Sequence, residues 1–159
     1  MNCITLGGDA QAPCTSGAFF RLNAGIRGAE RLNALDTMRA LAAKREVRVA
    51  EAGEVIFAAG EAGVSMFGLL EGRVRLVWTT ENGQEGYELI SAGDVFGAGA
   101  LVTPDHCRLS TATAETACRL IEMNREKFLF AVQESPMFAI ELLASVDERL
   151  RDLKMHNRT

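Results

Sequence analysis

Between Val47 and Met123 the apolar residues come only in short bursts, and a glycine or a turn-forming pair cuts off most bursts before a helix could form. Val47 and Val49 alternate with charged neighbours as far as Gly53, Val55-Ile56-Phe57 stops short of Gly60, and Met66-Phe67-Gly68-Leu69-Leu70 ends at Gly72. Val74-Arg75-Leu76-Val77-Trp78 and Tyr87-Glu88-Leu89-Ile90 flank Asn82-Gly83, a pair suited to a hairpin turn with positive φ. Val95-Phe96 and the stretches 109–114 and 118–123 continue the series. Short strands recurring about every ten residues between turn signals predict a barrel or jelly roll.

Helical periodicity brackets this region. From Ala29 to Lys44, Leu32, Leu35, Met38, Leu41 and Ala42 fall on one face of an amphipathic helix. Asn124 is placed to cap a short helix beginning at Arg125. Ser135-Pro136 then restarts the period, with proline at the first helical position, where its missing N–H leaves no bond unmade. The helix that follows runs to about Met155. Ala139, Leu143, Val146, Leu150 and Leu153 step by 4, 3, 4 and 3 residues along it, the spacing of a coiled-coil seam. Phe138 and Leu142 lie on a flanking face suited to pack on the barrel. One helix with two apolar faces needs two partners, and a second copy of the chain is the simplest second one; a single broad stripe docked within the chain is the alternative. The predicted architecture is mainly β with flanking helices, a double-stranded β-helix (jelly roll) plus a long C-terminal dimerisation helix. Residues 1–28 form an N-terminal arm, 29–134 the barrel with its flanking helices, and 135–159 the dimerisation helix.

Composition narrows the function. The 159 residues suffice for one hydrophobic core, and 48% apolar with 24% charged content is that of a globular domain. A net charge of −4 argues against a nucleic acid as direct partner. No apolar run reaches the roughly 20 residues of a membrane span, and Met1 to Ala10 lacks the basic and apolar regions of a secretory signal, so a cytoplasmic location is expected. Cys3, Cys14, Cys107 and Cys118 include no CxxC pair, and His106 and His156 are the only histidines, too few for a cupin-type metal centre. With no GxSxG elbow either, the chain reads as no enzyme, with neither metal nor cofactor. Cys107 reads as an ordinary reduced thiol and Cys118 as a small strand hydrophobe.

One segment carries binding chemistry. Gly97-Ala98-Gly99-Ala100 is a glycine-rich turn whose backbone N–H groups can converge on an anion. Arg108 follows shortly, able to return a planar guanidinium to the same anion in charge-assisted hydrogen bonds worth roughly 1.5–3 kcal/mol. Such a set suits a phosphodiester or a carboxylate. The alternatives are a tight β-turn without a ligand and a solvated surface arginine.

The order of elements resembles the effector domain of the Crp/Fnr regulators over residues 30–155. Met66 to Leu76 is similar to the family's aromatic–x–L–x–x–G–x–V strand–turn–strand, Ile90 to Gly97 to the GD–apolar–apolar–G entry of its phosphate-binding cassette, and Arg108 with Thr113 to Cys118 to the strands closing it. The resemblance implies a ligand-sensing regulatory domain with a small anionic effector held by Gly97, Ala98, Gly99, Ala100, Arg108 and Leu109. Cyclic AMP, cyclic GMP and 2-oxoglutarate are the effectors it suggests. Ala98 stands where the cyclic-nucleotide binders carry a glutamate for the ribose 2′-hydroxyl, and Leu109 where they commonly carry serine or threonine. Leu153 and Lys154 replace the hydroxyl side chains set against adenine. The cyanobacterial nitrogen regulators of the family also lack that glutamate and bind 2-oxoglutarate with an added helix arginine, near whose place Arg149 falls. Lys154 stands at their accompanying helix glutamate. Family members continue into a hinge and a basic winged helix-turn-helix, whereas this sequence stops at Thr159, so no direct nucleic-acid contact is expected from it. The other reading is a protein-interaction or structural module with a degenerate, empty pocket, which Ala98 and Leu109 favour.

Overall fold

The computed structural model describes residues 33–42 and 47–156. The glycine-cut stretch forms β1 (Val47–Ala50), β2 (Val55–Phe57), β3 (Ser65–Glu71), β4 (Arg73–Thr79), β5 (Glu85–Ser91), β6 (Val95–Phe96), β7 (Thr111–Ala114) and β8 (Cys118–Asn124). Helices α1 (Ala34–Leu41) and α2 (Gly99–Val102) and the pair α3 (Arg125–Glu134) and α4 (Pro136–His156) complete the described chain. Two antiparallel four-stranded sheets, ordered β1-β8-β3-β6 and β2-β7-β4-β5, give the expected mainly-β jelly roll. Asn82-Gly83 does turn the β4–β5 hairpin, with Gly83 at φ 76°. The N-terminal arm at 1–28, with Cys3 and Cys14, lies outside the described residues.

The hydropathy of each strand follows what covers it. β4 alternates because only one face is covered: Val74 and Leu76 are buried, while Arg73 and Arg75 face out. β3 is apolar almost throughout because both faces are buried, and β8 likewise buries apolar residues on both faces, Leu120 on one and Ile121 and Met123 on the other. Phe67, Leu69 and Leu120 point between the sheets, where the rings of Phe57, Phe67 and Phe96 pack together with centroids 5.5–6.1 Å apart. Met66, Ile121 and Met123 point the other way, into a second core with Leu35, Met38, Phe128, Phe138 and Leu142 of the helices.

The helices differ from expectation in detail. The helix predicted over 29–44 is Ala34–Leu41 within the described residues. Asn33 Oδ1 accepts the Asp36 N–H at 3.0 Å and Asp36 returns a bond to the Asn33 N–H, a reciprocal cap that starts α1 there. Ala42 is already extended. Strand β7 starts at Thr111, two residues later than predicted. Asn124 does cap α3, accepting from the Lys127 N–H at 2.9 Å, and the chain bends by 112° between α3 and α4. No single described helix is long and apolar enough to cross a membrane.

Both faces of α4 are visible. Phe138 is fully buried and Leu142 nearly so, while Leu143, Val146 and Leu150 are exposed, with Ala139 and Leu153 partly so. Phe138 meets Phe128 edge-on at 6.2 Å, fixing the α3–α4 elbow on the sheet. Phe138→Ala is therefore expected to cost about 3–5 kcal/mol, whereas Ile140→Ala, on an exposed side of the same helix, stays within about 0.5 kcal/mol. Urea denaturation of the two variants measures both, and equal costs would contradict this docking.

Candidate functional site

A cavity of about 510 Å³ opens against the inner core, with Phe57 and Leu76 in its lining. Gly97, Gly99 and Ala100 supply backbone along one part of it, and the stretch from Thr103 to Ser110, apart from His106, supplies most of the rest. Arg149 reaches it from α4. Of the residues expected here, Gly97, Gly99, Ala100, Arg108, Leu109 and Arg149 line the cavity.

Ala98 does not. It packs against the helix-side core, and Gly99–Val102 forms the short helix α2 where the sequence suggested an open turn. Burial of Ala100 and Leu101 explains the coiling, because both must leave water together. Gly97 precedes it at φ 78°, a conformation that strains any residue with a side chain.

Backbone pairing delivers Arg108. The Gly60 N–H donates to Arg108 O, the Arg108 N–H to Glu61 O (both 2.8 Å), and the Gly63 N–H to His106 O at 2.6 Å. The side chain is thereby directed inward and is 6% exposed, so it is no surface charge. Its two terminal nitrogens donate to Gly97 O and Ser65 O, and the guanidinium carbon lies 4.1 Å from the Phe57 ring centroid. Gly63 and Gly97 make room for it. A Cβ on either would come within 2.9 Å of a guanidinium nitrogen, and one on Gly63 would also overlap Ala100 Cβ.

Arg108 is thus a buried cation whose partners are carbonyls and ring faces. No carboxylate among the described residues forms an ion pair with it, and Nε has no hydrogen-bond partner among them. Burial lowers its pKa from the usual arginine value, opposed by the more distant Glu122 and Glu61. A guanidinium carries five N–H donors, so donors remain after two carbonyls are served.

Arg149 is held differently from expectation. Its Nε and one terminal nitrogen bind both oxygens of Glu88 on β5 at 2.6 and 3.0 Å, and the other terminal nitrogen donates to Val95 O at 3.0 Å. It lines the cavity with its charge already paired, and it is not a solvated coiled-coil flank. Glu88 points inward, opposite Leu76, which puts its carboxylate in reach.

Other features were not anticipated. Leu109 is 81% exposed, while its neighbour Ser110 is partly buried and brings a hydroxyl to the cavity. Thr103 Oγ1 is buried without a partner among the described residues, and Asp105 brings a carboxylate. His106 holds φ 51° and its Nδ1 lies 2.9 Å from Ala100 O, tying this loop to α2. Cys107 lines the cavity, and Cys118 is buried in β8.

Comparison with known proteins agrees with the fold. Residues 47–135 match the family model described as "Cyclic nucleotide-binding domain". The "Cyclic AMP receptor protein" of Thermus thermophilus is 32% identical over 101 residues, 63% of this chain and 46% of that protein. The "CRP-like cAMP-activated global transcriptional regulator" of Mycobacterium tuberculosis is 28% identical over 62% of this chain and 44% of its own length. The chain thus spans less than half of these curated relatives. The crystal structure of the Thermus thermophilus catabolite activator protein superposes with a TM-score of 0.60 at 27% identity, covering 76% of this chain and 61% of that one.

The placement of Arg108 has a consequence for stability. Gly63→Ala forces Ala100 and the buried guanidinium apart and is expected to destabilise the fold by about 1–3 kcal/mol. Chemical denaturation reads this directly, and an unchanged midpoint would mean that the close approach is not there.

Proposed function

The chain belongs to the cyclic nucleotide-binding domain family, and on that premise we propose that it is a ligand-sensing regulatory domain of the Crp/Fnr type. In this reading a small anionic effector occupies the cavity against Arg108, and α4 carries the signal in a homodimer. One observation carries it: a buried arginine with no carboxylate partner among the described residues, on the wall of a cavity large enough for a small molecule. A buried cation without a counter-ion is costly, and an arriving anion removes that cost. The role is binding, not catalysis. Control of transcription, which the relatives' names carry, enters as part of the same proposal.

Cyclic AMP, cyclic GMP and 2-oxoglutarate are the effectors to test. No carboxylate reaches the cavity from Ala98, which removes one ribose contact, while Ser110 offers a hydroxyl beside Leu109. Dimerisation rests on the exposed seam of Leu143, Val146 and Leu150, with Ala139 and Leu153 at its margins.

A thermal-shift screen with cyclic AMP, cyclic GMP, 2-oxoglutarate and phosphate tests the pocket. An effector at 100 times its dissociation constant adds about 2.7 kcal/mol, and Arg108→Ala should abolish that shift. An equal shift in the variant sinks the assignment, and no shift with any anion favours the empty interaction module. Leu143→Glu, placing a charge in the seam, should convert a dimer to a monomer in sedimentation velocity. A dimer that survives it would place the contact elsewhere.

A further inference from the structure

Two arginines stand on the cavity wall, but only one lacks a carboxylate partner. Arg149 is neutralised by Glu88 through two parallel N–H···O bonds, with the side chains 24% and 14% exposed, and its third nitrogen is satisfied by Val95 O. Arg108, 6% exposed, has carbonyl and ring partners only. The one carboxylate on the cavity wall itself, Asp105, is exposed and adds negative charge.

We infer that Glu88 sets the charge specificity of the cavity: by occupying Arg149 it restricts the effector to one negative charge, placed at Arg108. This rests on the anion-binding reading above and names the ligand class within it. A second negative charge on the ligand has two options. It can take Arg149 from Glu88, leaving a largely buried carboxylate unpaired, which is strongly unfavourable. Otherwise it faces the intact pair and Asp105 with no cation to meet it. A phosphodiester satisfies the site; a phosphomonoester or a dicarboxylate does not. The bidentate geometry matters here, since a paired fork yields its partner less readily than a single-point contact.

Two ligand pairs isolate charge from base and sugar. Cyclic AMP and cyclic GMP carry one negative charge; 5′-AMP and 5′-GMP, at pH 8, carry two. Dissociation constants by calorimetry for these four and for 2-oxoglutarate are compared in wild type, Glu88→Gln, and the double variant Glu88→Gln/Arg149→Gln. Wild type should prefer the cyclic nucleotides. Glu88→Gln frees Arg149 and should improve the dianions relative to the cyclic nucleotides by about ten-fold or more. The double variant, with one cation again, should lose that gain. Circular dichroism verifies that each variant is folded, and the wild-type comparison needs no variant. Tighter wild-type binding of 5′-AMP, 5′-GMP or 2-oxoglutarate than of either cyclic nucleotide overturns the inference and leaves the anion site standing. So does an affinity ratio unchanged in Glu88→Gln. Failure of all five ligands to bind wild type and Glu88→Gln overturns the anion site together with the inference.

Discussion

Taking a guanidinium out of water costs several kcal/mol unless its charge and its donors are met. At Arg108 the acceptors for two of the donors and one ring face are supplied by parts of the chain distant in sequence, while the charge meets no carboxylate in an ion pair among the described residues. Gly97 O comes from the segment after β6, Ser65 O from the start of β3, and the Phe57 face from β2. Each in turn has to be placed by its own strand. The missing side chain at Gly63 and the left-handed backbone at Gly97 are the local conditions that let the guanidinium fit. The same residue therefore locks the two sheets together near the cavity and keeps a positive charge inside it. A purely structural core would be served as well by an apolar side chain of similar volume, without the desolvation cost. The retained charge is the feature that an anion-binding role explains.

The sheets divide the labour around that cation. The β2-β7-β4-β5 sheet covers the core with one face and shows charged residues on the other, so its sequence alternates. The β1-β8-β3-β6 sheet is sandwiched between the inner core and the helices, so its central strands cannot alternate. α1, α3 and α4 are held on that sheet by Met38, Phe128, Phe138 and Leu142. Gly68 on β3 lets α1 approach closely, since a Cβ there would overlap Leu35.

The fold was legible because local signals agreed with the global arrangement. The glycines and Asn82-Gly83 marked turns, alternation in β4 marked a half-buried strand, and Ser135-Pro136 marked the restart of the last helix. The site was legible only in part. Gly97 and Arg108 stood out because the motifs on both sides resemble those of a known family; alone, they read equally well as a tight turn and a surface arginine. The Arg149–Glu88 pair did not, because its partners are 61 residues apart and meet only through the inward register of β5. Phe57 and Leu76 were equally hidden, since a strand hydrophobe beside a cavity has the same sequence signature as one in closed packing. Ala98 was misplaced for a related reason. The coiling of α2 is driven by burial of Ala100 and Leu101, a tertiary effect that a glycine-rich string does not announce.

Helix α4 is where these observations combine. Its first turns are fixed to the sheet by Phe138 and Leu142, and Arg149 fixes it again seven residues later, about 10 Å along the axis, through Glu88 and Val95 O. Val146 and Leu150, in the exposed seam, flank that second anchor directly. On the proposed reading, an effector that alters the charge around Arg149 acts on the same turn of helix that meets the second copy. An allosteric switch requires a ligand to interact differently with two arrangements of a coupled element. A hydrophobic anchor alone would be indifferent to a ligand's charge, whereas an ion pair on the cavity wall is not. On that proposed reading, the second anchor of α4 is the contact through which ligand charge would bear on helix position.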